Sequence, residues 1–99
     1  MIVTFGDAAT EALFHGRTGR TGKGAKRIPI DIHKVAIRKL DIIDAARELR
    51  DLRAPPGNRL EALKGNLRGK HSIRVNEQWR IVFRWDSGDA HEVSILDYH

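Results

Sequence analysis

Ninety-nine residues make one domain (1–99) and not two, and 40% hydrophobic residues are enough to bury a core. The absence of cysteine excludes a disulfide framework, a thiol nucleophile and every cysteine-based zinc or iron–sulfur site. Eighteen Lys and Arg against 13 Asp and Glu give a formal net charge of +5, which favours an anionic partner, nucleic acid being the commonest.

Residues 1–7 lack the basic-then-apolar layout of a secretion signal, and no apolar run reaches membrane-span length. A cytoplasmic location and no membrane partner are therefore expected. Ile2, Val3, Thr4 and Phe5 form a β-branched and aromatic run that reads as an opening strand. Asp7 is placed to cap a short helix that ends at Gly16. Residues 16–29 hold four glycines and five bases, a composition that cannot bury a core, so a functional or mobile loop is expected. Its Gly22-Lys23 is not a phosphate-cradling loop, because no Ser or Thr follows and no glycine stands five positions earlier.

Ile32, Val35, Ala36, Leu40 and Ile43 recur at helical spacing, with Asp31 placed to cap, and Ala45, Ala46, Leu49 and Leu52 extend the stripe. Residues 30–54 are one long helix or two packed ones broken near 41–44. Pro55-Pro56-Gly57-Asn58 ends them. The period then changes to two. Residues 59–63 read as a short strand, 65–69 as a loop, 71–75 and 79–85 as alternating strands, 86–89 as a hairpin turn and 90–99 as a closing strand. Helices ahead of most strands predict an α+β domain with the helices on one sheet face.

The charge is unevenly spread. Residues 16–27 carry +5 and residues 58–85 carry +5, separated by a nearly balanced segment and followed by −4 over residues 86–99. Alternation puts Trp79, Ile81, Phe83 and Trp85 on a core face, joined by Ile73 and Val75. The uncovered face then carries Arg74, Arg80 and Arg84. Arginine forks suit phosphate, although an antiparallel sheet also tolerates arginine on its wet face. Tyr98 falls on the arginine face, whereas Asp97 and His99 fall opposite it. The two acids beside the His99 imidazole, Asp97 and the terminal carboxylate, would favour its charged form. His15, His33 and His91 read as ordinary surface residues. No histidine or carboxylate cluster has metal-ligand spacing, so no metal or other cofactor is expected.

The residues Pro55-Pro56-Gly57-Asn58-Arg59-Leu60-Glu61-Ala62-Leu63-Lys64-Gly65, then Ser72-Ile73-Arg74-Val75-Asn76 with Gln78-Trp79-Arg80-Ile81, then Asp97-Tyr98-His99, resemble the HigB branch of the RelE/ParE toxin superfamily. The resemblance spans nearly the whole chain and is weakest over residues 16–30. It implies a RelE-like fold, with two or three helices packed on one face of a small twisted, mainly antiparallel sheet. It further implies the toxin of a type II toxin–antitoxin pair, which enters the ribosomal A site of the 70S particle and cleaves mRNA during translation. The implied partner is a HigA-like helix-turn-helix antitoxin, and operator DNA is reached only through that complex.

Metal-free RNA cleavage by the 2′-hydroxyl needs a base, charge stabilisation at phosphorus and an acid for the leaving oxygen. By this resemblance Lys64, Arg74 and Arg80 stabilise the phosphate, Tyr98 and His99 share acid–base duty, and Asp97 orients or tunes. Arg68, Lys70 and Arg84 are expected as further RNA contacts. Two rival readings share these features: a ParE-like inhibitor of DNA gyrase, and a basic nucleic-acid-binding module without catalysis.

Overall fold

The computed structural model describes residues 1–16 and 27–97. Two helices, α1 (Ala8–His15) and α2 (His33–Ala45), precede four strands, β1 (Glu61–Ala62), β2 (His71–Arg74), β3 (Trp79–Asp86) and β4 (Asp89–Asp97). The strands form one antiparallel meander in the order β1-β2-β3-β4. This is the expected α+β arrangement. Ala9 and Leu13 of α1 and Ala36, Leu40 and Ile43 of α2 share one core with Ile73, Trp79, Ile81, Phe83, Val93 and Ile95. Period-two alternation in β3 and β4 therefore does what it predicted, turning one face of the sheet onto the helices. The β3–β4 hairpin closes with positive φ at both Ser87 and Gly88, the left-handed pair that a two-residue turn between twisted strands requires.

Asp7 caps α1 as expected. Its carboxylate accepts from the Thr10 N–H at 2.8 Å and from the Thr10 hydroxyl at 3.0 Å, and Arg27 lies 3.0 Å away. Burial pushes the Asp7 carboxyl up, but hydrogen bonds from Thr10, Ser94 and Arg27 together outweigh it and hold the pKa below 3.8. The Thr10 hydroxyl also accepts from the Ile95 N–H at 2.9 Å, which pins the start of α1 to β4.

The opening run is not a full strand. Ile2 and Phe5 make isolated parallel bridges to Ala90 and Val93. Between them β4 bulges, so that Glu92 and Val93 both oppose Phe83. Glu92 takes φ 55°, and its N–H turns to the Thr4 hydroxyl at 2.8 Å, which interrupts the ladder.

Four further expectations are corrected between residues 27 and 58. Ile28, in the stretch assigned no core, is 1% exposed and packs in the core; residues 17–26 of that stretch lie outside the described residues. Asp31 caps nothing, because the chain enters α2 through a 3₁₀ turn (Ile30–Ile32) that places Asp31 inside the helical turns. His33 is buried rather than on the surface, with Nε2 2.7 Å from the Ile28 carbonyl. Finally, residues 30–54 take the broken alternative with the break at 46–48 rather than near 41–44: α2 stops at Ala45, and a 3₁₀ turn (Leu49–Arg53), not a second α-helix, follows extended Ala46. The stop has a local cause: Asp51 accepts from the Arg47 and Glu48 N–H groups at 3.1 and 3.0 Å, donors that a continuing helix would use itself.

Asn58 then locks the turn to α2. Fully buried, it donates to the Leu52 and Ala54 carbonyls at 3.1 Å each and accepts from the Lys39 ammonium. This fixes where the chain leaves the helical layer and begins β1.

Candidate active site

The sheet face turned away from the helices carries the candidate site. Register places Arg74 on β2 directly across from Arg80 on β3, and Arg80 across from Leu96 on β4. The Val75 N–H donates to the Trp79 carbonyl at 2.9 Å, so residues 75 and 79 are a hydrogen-bonded pair. Arg74 and Arg80 then occupy the adjoining non-hydrogen-bonded position, where opposed side chains come closest. Two like charges placed there disfavour the strand pairing unless another charge intervenes.

That charge is Glu61. Its Oε1 accepts from Arg80 Nη1 at 2.9 Å, and the Arg80 side chain is only 15% exposed. Glu61 is register partner to Ser72, so the bond runs from β3 to β1 across β2. Ser72 and Val82, neighbours on this face, are both buried, and Ser72 Oγ has no hydrogen-bond partner among the described residues. The arginine face is therefore not the open row that alternation alone predicts. A second acid, Glu92, bridges the other end: its Oε1 lies 3.4 Å from Arg84 Nε and 3.8 Å from Lys70 Nζ, and Asp86 lies 3.8 Å from Arg84. The β4 bulge makes this possible by moving Glu92 out of the ladder.

Of the expected site residues, Arg74, Arg80, Arg84 and Lys70 share this face or its rim. Arg74 has no ion-pair partner among the described residues. Lys64 is exposed just beyond β1, ahead of the 3₁₀ turn (Gly65–Leu67), and exposed Arg68 follows that turn. Neither has an ion-pair partner among the described residues. Asp97 pairs with Trp79 across β3 and β4, so it takes the other side of the sheet, where Oδ2 accepts from Gln78 Nε2 at 2.9 Å. Tyr98 and His99 lie outside the described residues. Sequence reasoning missed Glu61 and Glu92, because nothing in a two-residue strand or a bulge announces itself by period.

On the helix-bearing side, a cavity of about 400 Å³ is lined by Leu49, Arg50, Arg53, Leu60, Ala62 and His71. His71 stacks on Phe83 at 6.4 Å between ring centroids, and its Nδ1 is buried without a partner among the described residues. Among the described residues, no group of three His, Asp or Glu side chains is placed to hold a metal ion.

Comparison with known proteins places this geometry in a wider set. Residues 14–99 match the family described as RelE-like toxin of type II toxin–antitoxin system HigB. The chain is 53% identical over 68 residues to Toxin HigB-1 of Vibrio cholerae, a match spanning 69% of this chain and 72% of that protein. It is 39% identical over 61 residues to Endoribonuclease HigB of Proteus vulgaris, spanning 62% and 65% respectively. Among solved structures, the fold resembles a chain of the YoeB–YefM complex from Staphylococcus aureus with TM-score 0.55 at 20% identity, covering 100% of this chain and 98% of that one.

Proposed function

The chain belongs to the HigB-like family of RelE-like toxins of type II toxin–antitoxin systems, and from that membership we propose that it is a metal-independent endoribonuclease that cleaves translated mRNA in the ribosomal A site. The observation that carries this reading is the Arg74–Arg80 pair, two arginines at opposed register positions on the sheet face turned away from the helices. Forked donors on neighbouring strands of one face suit a phosphate, and more so the extra negative charge of its transition state. A relative of the chain bears the name Endoribonuclease HigB, which supports the same reaction class.

In this reading Arg74, Arg80 and Lys64 stabilise the phosphate, and Tyr98 and His99 supply acid–base groups with Asp97 as a tuning carboxylate. Arg68, Lys70 and Arg84 contact RNA, a term that weakens with salt and carries little sequence preference. The products are a 2′,3′-cyclic phosphate or 3′-phosphate and a 5′-hydroxyl end. The protein acts in the cytoplasm, and a HigA-like helix-turn-helix antitoxin restrains it and carries the complex to operator DNA. Solved structures with this fold include a heterotetrameric YoeB–YefM toxin–antitoxin complex, which supports such a partner.

Mapping of transcript ends in a translating extract tests the proposal, with Arg80→Met and a His99 deletion alongside. Cuts within translated codons that disappear in both variants are expected. Intact messages together with trapped gyrase–DNA breaks would instead establish the gyrase reading.

A further inference from the structure

Resting on the ribonuclease reading above, we propose that Glu92 is a specificity-determining residue, a built-in counter-ion that reserves Lys70 and Arg84 for RNA presented at high local concentration. Register puts these groups in one row across the sheet. His71 pairs with Phe83, and Arg84 pairs with His91. Lys70, just ahead of β2, therefore falls beside Arg84, and the β4 bulge brings Glu92 to the same row. One carboxylate oxygen of Glu92 serves both cations, at 3.4 Å from Arg84 Nε and 3.8 Å from Lys70 Nζ. Arg84 stands four residues along β3 from Arg80, about 13 Å at strand spacing, so this row meets a phosphate other than the one being cut.

The backbone does not demand a glutamate here. Its φ of 55° is left-handed, a conformation that glycine or asparagine adopts at lower cost. The bulge uses the residue's N–H, which donates to the Thr4 hydroxyl, and any residue but proline supplies one. The side chain is 50% exposed, and ion pairs so open to water contribute little to stability. Its effect is instead on what else the two cations can hold.

A carboxylate offers Lys70 and Arg84 the same kind of oxygen that a phosphate does, so RNA gains these contacts only by displacing Glu92. Left uncovered, the two cations would add to the grip on any RNA strand through counterion release. With Glu92 in place, loose RNA forgoes that gain. RNA already held beside the site has a high effective concentration, and it saturates the site despite the competing carboxylate. Discrimination between loose and presented RNA then comes from a repulsive group as well as from attractive ones.

The test uses the full chain with one message in two forms, held in programmed ribosomes and free in solution. Binding of a single-stranded 2′-O-methyl RNA oligonucleotide, which cannot be cut through a 2′-hydroxyl, is measured alongside. Wild type is compared with Glu92→Gln, Glu92→Gly and Glu11→Gln, the last removing one negative charge from α1 on the helix-bearing side. Both Glu92 variants should bind the oligonucleotide about 10-fold more tightly, with a salt dependence steeper by about 0.7 for each further phosphate held. The ratio of cutting on ribosomes to cutting of free message should fall by a similar factor. Adding Lys70→Met and Arg84→Met to Glu92→Gln should erase the gain in binding. Unchanged affinity in both Glu92 variants would overturn the proposal, and with a lowered melting temperature it would show that Glu92 braces the bulge. An equal gain in Glu11→Gln would overturn it too, since net charge alone would then act. So would tighter binding with an unchanged cutting ratio. A wild type that leaves the ribosome-held message intact would overturn the ribonuclease reading itself, an outcome separate from those in the binding arm.

Discussion

Arg74 and Arg80 stand directly opposite one another on β2 and β3, and only one of them, Arg80, has an acid from the described residues bonded to it. Opposed like charges cost a cross-strand pair roughly 0.2–1 kcal/mol, so the arrangement opposes stability locally. Arg74→Thr should therefore keep or slightly raise the melting temperature while lowering cleavage about 100-fold. Thermal unfolding by circular dichroism, run beside transcript mapping, checks both halves. A marked loss of stability would show that Arg74 serves the fold instead.

Arg80 calls for a different substitution. Its side chain is largely covered, so Arg80→Ala removes packing as well as charge and leaves Glu61 without its bonded guanidinium. Arg80→Met keeps the stem. Cleavage should be lost in both variants, with urea midpoints showing the alanine variant the less stable by about 1 kcal/mol.

Thr10 joins helix and sheet through one hydroxyl, which donates to Asp7 and accepts from the Ile95 N–H. Thr10→Val preserves shape but strands a buried donor on β4. A destabilisation of about 1–3 kcal/mol is expected in chemical denaturation. Exchange of the Ile95 amide with deuterium should quicken in the same variant.

Asp7 links stability to pH. Its folded-state pKa is depressed below 3.8, so its stabilisation is fully present above that value and is lost as pH falls through the folded pKa. Asp7→Asn retains a capping oxygen but not the charge toward Arg27, and should cost about 1 kcal/mol or less at neutral pH. The gap between variant and wild type should close in acid. Urea titrations at neutral pH and well below pH 3.8 measure this directly, and a constant gap would contradict the assignment.

The strands were legible because burial imposes a period of two: Trp79, Ile81 and Phe83 could not have alternated with two arginines unless one face were dry. The cap at Asp7 was legible because a short carboxylate next to a turn has one favourable use. Residues 49–53 were not, since apolar spacing there fits an α-helix as well as a 3₁₀ turn, and the deciding contacts are from Asp51 to two main-chain N–H groups. Glu61 escaped for a different reason. It is 19 residues from Arg80 in the chain, and they meet only through the register of a two-residue strand. The left-handed Glu92 escaped as well, because glutamate carries no turn signal.

The two borders of the sheet have a bearing on life without a partner. Exposed strand edges invite pairing with other chains, and a toxin released from its antitoxin would meet many. Here β4 is already bonded on its outer side, at Ala90 and Val93, by the segment from Met1 to Gly6. At the other border β1 is only two residues long, too short a template for an incoming strand to hold. Among the described residues the meander thus ends on one side in a strand partly taken and on the other in a stub, so neither border offers another chain a long template.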